Sequence, residues 1–229
     1  MVYITGDIHG ELGIKRLSGK SFREQRHMSK NDYLIILGDF GLVWDDSESE
    51  RRLRTWLNNK HFTTLFIDGN HDNHNLIHQY PEVQIFGGKA HQIDSSIYHL
   101  CRGEVYHIDG HSFLALGGAN SIDRWCRIEG ESWWSTETIT QKDLDNAYEN
   151  VDKKCDLHYV DYVLTHAAPH FIEKMISPYI SRSDSSMALE ILSEYITFNR
   201  WFFGHYHLDY IPMENDPRFI ALFEQIFAC

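Results

Sequence analysis

Apolar and polar positions along the chain fall into two periods. Tyr33-Leu-Ile-Ile-Leu37 is a continuous apolar run without alternation, the pattern of a strand covered on both faces. Similar short runs predict strands at Val2–Thr5, Thr63–Ile67, Val105–Ile108, Phe113–Leu116, Tyr162–Thr165 and Trp201–Phe203, with a late pair near Tyr210–Pro212 and Phe219–Phe223. Between them the spacing turns helical. Ser47-x-x-Glu50 reads as a capping box that opens a segment with Leu53, Trp56 and Leu57 on one face and a Glu50/Arg54 pair at i,i+4. The charged positions of residues 47–54 are expected to form a solvated helix face. Ser186–Phe198 puts Met187, Ile191, Leu192, Tyr195 and Ile196 on another apolar face, and Thr140–Val151 is a weaker helix pattern. Ser121–Glu137 fits neither period. With Trp125, Trp133, Trp134, Arg124 and Arg127 it reads as a long structured loop. Strand–helix alternation early and strand pairs late predict a layered α/β domain over residues 1–229, with a Trp-rich insertion at about 121–137.

Composition narrows the function. The chain of 229 residues is long enough to bury a sizeable core without disulfides. Lys+Arg 21 against Asp+Glu 33 gives a net charge of −12, which repels a phosphate backbone at long range and argues against a dedicated binder of long nucleic acids. Cys101, Cys126, Cys155 and Cys229 show no C-x-x-C spacing and read as reduced structural thiols, with the terminal Cys229 exposed. No apolar run reaches the ~18 residues of a membrane span, so a cytoplasmic protein without a membrane partner is the expectation. The 15 His are the one unusual count, and His is the commonest metal ligand.

Five segments show where the histidines work. Gly6-Asp7-Ile8-His9-Gly10, Gly38-Asp39-Phe40-Gly41, Gly69-Asn70-His71-Asp72, Thr165-His166 and Gly204-His205-Tyr206-His207 each follow a predicted strand. In open α/β sheets the loops past the strand C-termini converge into sites. Asp7 and His9 are two apart, as are His205 and His207. In extended backbone such residues project to one side, so each pair is expected to grip one locus. Singly these signals are weak; together and in order they point to a metal centre.

The series Asp-x-His, Gly-Asp, Gly-Asn-His-Asp, His and Gly-His-x-His resembles that of the calcineurin-like metallophosphoesterase superfamily, over residues 2 to about 210. The Trp-rich loop resembles that of small bacterial or phage phosphoesterases. The resemblance implies a four-layer α/β/β/α sandwich of two mixed sheets with the site at the strand C-terminal ends. It implies two divalent ions, one held by Asp7, His9, Asp39 and His207, the other by Asp39, Asn70, His166 and His205, with Asp39 bridging. His71 is then the imidazole facing the leaving group, and a third ligand is its other reading. Four imidazoles, two carboxylates and one amide oxygen suit Mn first, with Fe or Zn as alternatives. Two such ions lower the pKa of a bridging water for in-line attack on a phosphomonoester or phosphodiester, and His71 would protonate the leaving oxygen as general acid. The ions also attract a small phosphorylated substrate despite the net charge.

One departure from the superfamily pattern matters. Where many relatives read Gly-Asp-x-x-Asp-Arg, this chain has Leu42 and Val43, so the carboxylate that orients the catalytic His and the phosphate-gripping Arg are missing. Asp45, Asp46 and Asp72 are the candidates for the first role, and Arg124, Arg127 and Arg182 for the second. His74 and His78 read as a helix surface or rim. The tryptophans of the loop read either as a lid that stacks a base or sugar or as packing against the body. Two other functions are weighed: a catalytically silent scaffold of the same fold, which would be expected to have eroded ligands, and a nuclease acting on short oligonucleotides.

Overall fold

All seven main strand segments read from the sequence are strands in the computed structural model, which describes residues 1–229. In chain order the elements are β1 (Val2–Thr5), β2 (Tyr33–Leu37), α1 (Glu48–Asn58), β3 (Thr63–Ile67), α2 (His74–Ile77), β4 (Glu82–Ile85), β5 (Gly88–Asp94), β6 (Ile97–Leu100), β7 (Glu104–Ile108) and β8 (His111–Leu116). There follow α3 (Gln141–Lys154), β9 (Tyr159–Thr165), α4 (His170–Ile176), α5 (Asp184–Tyr195), β10 (Thr197–Phe203), β11 (Phe219–Ala221) and β12 (Ile226–Ala228). The seven-stranded sheet runs β12-β1-β2-β3-β6-β5-β4 and the five-stranded sheet β11-β10-β9-β8-β7. Both are mixed. β1, β2, β3 and β6 are mutually parallel, as are β8 to β11, with antiparallel strands at the margins.

The core divides into three apolar layers, and these define four layers of structure. Ile4, Ile35 and Leu65 from one sheet meet Phe113, Leu164 and Phe202 from the other in a central cluster. Leu34, Ile36 and Phe66 point outward from the larger sheet onto Leu57 of α1 and Ile77 of α2. On the far side Val163 and Trp201 pack against Leu144 of α3, Ile172 of α4 and Leu189 of α5. β2 and β3 are thus covered on both faces, which is why their sequences are apolar without alternation. The result is the α/β/β/α sandwich, with the ends of β1, β2, β3, β9 and β10 opening on one rim.

Several local expectations change. Ser47 caps α1 by accepting from the Glu50 amide at 3.4 Å, but the Glu50 carboxylate turns away to the amides of Trp44 and Asp46, at 2.5 and 2.8 Å. Glu48, Arg51 and Arg52 are on the expected solvated face, but Glu50 and Arg54 are 6% and 7% exposed, and Arg54 is drawn inward to the Leu42 carbonyl at 3.0 Å. Full capping boxes occur instead at Thr140/Asp143 of α3 and Ser183/Ser186 of α5. α5 ends at Tyr195, and Phe198 lies in β10. Tyr210–Pro212 contributes only a single bridge, Tyr210 to Ala221. β4, β5, β6 and β12 were not anticipated. All four cysteines are free; Cys126 is the exposed one and Cys229 is half-buried. No helix is long and apolar enough to cross a membrane.

Candidate metal centre

Sharp turns at the strand ends bring the five segments together. His9, Asp39, His205 and His207 all have positive φ, at 50°, 45°, 68° and 52°. Non-glycine residues avoid this region, and its concentration here marks backbone held in place by its surroundings. Two glycines make room. A Cβ at Gly69 would overlap the Asp39 carboxylate, and one at Gly204 would overlap that of Asp7.

Asp7, His9, Asp39 and His207 form one group of converging donors. The Nε2 atoms of His9 and His207 lie 3.0 Å apart, and His207 Nε2 is 3.2 Å from Asp7 Oδ2. His9 Nε2 stands 3.7 Å from Asp39 Oδ2 and 3.8 Å from Asp7 Oδ2. Asp7 Oδ2 is buried and has no hydrogen-bond partner. A buried carboxylate oxygen left unmatched beside two imidazole nitrogens is costly unless a cation sits among them. The residues present therefore fit a divalent ion.

The second group lies on the other side of Asp39. His166 Nε2 is 3.3 Å from Asp39 Oδ1 and 3.2 Å from Asn70 Oδ1, and the His205 ring centre is 4.9 Å from that of His166. His166 Nδ1 donates to the Leu37 carbonyl at 2.6 Å, which leaves Nε2 to face the donors. His205 and His207 do not share one locus as their spacing suggested. Left-handed backbone at both turns the chain between them, so His207 joins the first group and His205 faces His166. Asp39 touches both groups, and all seven residues assigned through the resemblance meet in this cleft.

Electrostatics reflect crowded anions and imidazoles. Burial disfavours the Asp39 charge, but His166 beside it outweighs burial and holds the carboxyl below its usual range. Burial likewise disfavours a charged His166, yet Asp39 and Asp7 raise it to about 10. Burial and the neighbouring His166 push His205 down to about 4, and burial lowers His9.

His71 stands at the mouth, its ring centre 5.7 Å from that of His9, and its amide donates to Asp39 Oδ1 at 2.8 Å. Its ring faces Arg127, whose guanidinium nitrogens approach Nδ1 at 3.0 Å and Nε2 at 3.3 Å. Arg127 is held in turn by Asp123 at 2.7 Å and the Ser132 carbonyl at 3.1 Å. Of the candidate arginines only this one reaches the cleft. Arg124 and Arg182 are exposed and hydrogen-bond to none of the site residues.

Asp72 does not orient His71. It is buried, and its oxygens accept the amides of Gly69 at 2.9 Å, Gly41 at 3.0 Å and Phe40 at 3.2 Å. It ties the loop after β2 to the loop after β3. Asp45 and Asp46 are also engaged elsewhere, with the Ser47 amide and with Arg51 and Arg54. No carboxylate therefore replaces the one absent at Leu42.

Sequence reasoning missed a supporting chain of polar groups. Asn70 Nδ2 donates to Ser121 Oγ at 3.1 Å, and Ser121 donates to the buried Glu137 through Oγ at 2.7 Å and its amide at 2.6 Å. Both ends of the Trp-rich loop are fixed this way, and Asn70 Oδ1 is left to point at His166. Trp134 packs edge-on against Trp44 at 4.9 Å between ring centres, whereas Trp125 is 84% exposed. His74 is buried rather than on a rim. Its Nε2 lies 3.1 Å from the Gly69 carbonyl and its Nδ1 3.5 Å from Asp68. His78 is exposed, as expected. Ser and Glu far apart in sequence, and a His on a single helical turn, carry no periodic signal.

Beside the donors lies a cleft of 400 Å³, with His71, Asn120, Ile122, Ile180 and Tyr206 on its walls. A small ligand fits such a volume. The sequence profile of the Calcineurin-like phosphoesterase family matches residues 1–209. Among solved structures, a Staphylococcus aureus protein assigned as a 5'-nucleotidase, determined in complex with alpha-ketoglutarate, is similar over 98% of this chain, with a TM-score of 0.53 and 15% identity. This chain spans about half, 49%, of that protein's length. No curated protein matches the sequence.

Proposed function

Because the chain belongs to the calcineurin-like phosphoesterase family, we propose that its cleft is a two-metal centre that hydrolyses a small phosphate ester. The observation that carries this reading is the orphaned Asp7 Oδ2 beside the paired Nε2 atoms of His9 and His207. Asp7, His9, Asp39 and His207 would hold one ion, and Asp39, Asn70, His166 and His205 the other. The imidazole-rich donor set suits Mn²⁺, Fe or Zn²⁺, with Mn²⁺ the first to test. Two divalent ions there would supply a nucleophile from water at neutral pH and a clamp on the phosphoryl oxygens.

The chain's own residues do the rest. The Arg127 guanidinium faces both ring nitrogens of His71, 3.0 Å from Nδ1 and 3.3 Å from Nε2, and holds the ring at the cleft mouth. In its protonated, imidazolium form His71 would give a ring proton to the leaving oxygen as general acid and return to the neutral imidazole. Arg127 is the candidate arginine that faces His71, and it would take the place of the arginine absent at Val43. It reaches the site from the inserted loop instead of from the turn after β2.

Purified protein loaded with Mn²⁺ is expected to hydrolyse an aryl phosphate or a bis-aryl phosphodiester. The substrate panel should include nucleoside 5'-monophosphates, since the similar S. aureus structure is assigned as a 5'-nucleotidase. Mn²⁺-loaded protein that turns over none of the panel would sink the proposal. So would a chain that binds no divalent ion.

A further inference from the structure

A second cluster of metal-capable side chains lies away from the cleft, on the outer face of the larger sheet. β5 and β6 are antiparallel, and His91 stands directly opposite His99 in their register. Cys101 follows His99 by two residues and projects to the same face, while Leu100 between them points into the central core. His91, His99 and Cys101 each place a ligand atom within 4.8 Å of the others. They line an open cavity of 360 Å³ together with His74 of α2 and Asp143 and Asn146 of α3.

The distances are those of a coordination sphere. His91 Nδ1 and His99 Nδ1 are 3.1 Å apart, and Cys101 Sγ is 3.6 Å from His91 Nδ1. A tetrahedral ion with bonds of about 2.0 Å to nitrogen and about 2.3 Å to sulfur separates two nitrogens by about 3.3 Å and nitrogen from sulfur by about 3.5 Å. The tautomers agree. His99 Nε2 donates to the buried Asp68 carboxylate at 3.0 Å, so His99 Nδ1 carries a lone pair. A carboxylate behind a histidine is the usual outer support of a zinc-type ligand.

Hydrogen bonding leaves one member of this cluster, at least the weak thiol donor, without a partner. His91 Nδ1 has one position for a proton and faces both the His99 lone pair and the thiol. If it donates to His99, the thiol is left over; if it accepts from the thiol, two lone pairs meet at 3.1 Å. A cation removes the conflict. We propose that His91, His99 and Cys101 form a separate site for one thiophilic divalent ion of the zinc type, with its fourth position open to the cavity. On binding, the Sγ–H bond breaks, the Sγ–metal bond forms, and the proton leaves to solvent. Cys101 would then be a ligand and not simply a packed thiol.

Cobalt(II) reads this site selectively, because only a bound thiolate gives sulfur-to-metal charge transfer and the cleft has no sulfur donor. Chelator-stripped protein titrated with Co²⁺ is expected to show that near-ultraviolet band, to keep it in Cys126→Ser, and to lose it in Cys101→Ser. Should Cys101→Ser fail to fold, His91→Phe and thiol alkylation give the same information. Zn²⁺ in excess over all three sites should slow alkylation of Cys101 in the wild type, with the exposed Cys126 as internal standard, and His91→Phe should abolish that protection. The proposal is overturned by wild-type protein without the band, by a band that survives Cys101→Ser, or by Zn²⁺ that leaves Cys101 alkylation unchanged.

Discussion

Replacing Asp72 with Asn tests how the two loops after β2 and β3 are held. Its carboxylate takes the amides of Gly69 and Phe40 on Oδ2 and that of Gly41 on Oδ1. A buried hydrogen bond to a charged group contributes about 1.5–3 kcal/mol, and an unmatched buried donor costs about 1–3 kcal/mol. An Asn oxygen at the Oδ2 position keeps two of the bonds in weaker, neutral form, but its NH₂ group faces the Gly41 amide. The expected loss is about 2–4 kcal/mol, a large share of a typical 5–15 kcal/mol total. For a chain of this size that lowers Tm by roughly 5–15 °C. Urea unfolding of wild type and Asp72→Asn measures the loss, and calorimetric titration with Mn²⁺ shows whether the loops still present their donors. A variant within about 0.5 kcal/mol of wild type and with unchanged metal affinity would refute the reasoning. If such a variant also lost turnover with an altered pH profile, Asp72 would act on His71 after all.

Four further outcomes follow from the same geometry. His71→Ala should retain bound metal yet lose about 10²–10⁴-fold in turnover of an alkyl phosphate, and far less with an aryl leaving group that departs without a proton. Arg127→Ala should cut kcat/KM by about tenfold to a hundredfold, the worth of one charged hydrogen bond, measured with the Mn²⁺-loaded protein. Ser121→Ala frees the Asn70 amide and should weaken metal affinity by roughly 10–100-fold in calorimetry, as loss of outer support usually does. Burial lowers His74 to about 4, below its unfolded value of about 6.5, so the unfolded chain binds the proton more readily. Stability should therefore fall as pH drops from about 6.5 to about 4, by about 3 kcal/mol from this group, and His74→Gln should flatten that slope in urea titrations.

The strands that carry the cleft were legible because they are buried on both faces. Tyr33–Leu37 and Thr63–Ile67 lie between two apolar layers and spell that out as continuous hydrophobic runs. β5 and β6 were missed because their outer face carries His91, His99 and Cys101 over a polar cavity, where an ordinary sheet would show aliphatics. The donors of the cleft stood out through glycine punctuation at strand ends. Their supports did not. Asp68, Ser121 and Glu137 act through partners tens of residues away, such as Arg102 on Asp68 at 2.5 Å. Asp72 looked catalytic because it adjoins His71, yet its side chain turns inward toward three amides. Arg127 could be named as a candidate but not chosen, because only the folded loop brings it to the ring.

The donors of the cleft are divided between the two halves of the chain. Asp7, His9, Asp39 and Asn70 follow strands of the larger sheet, whereas His166, His205 and His207 follow strands of the smaller one. During synthesis the first four emerge early, and neither group is complete until residues 205–207 have left the ribosome. Maturation of the centre is thereby tied to translation of almost the entire chain. On the proposed reading, a product that stops before residue 205 would lack a donor of each group and would be inactive.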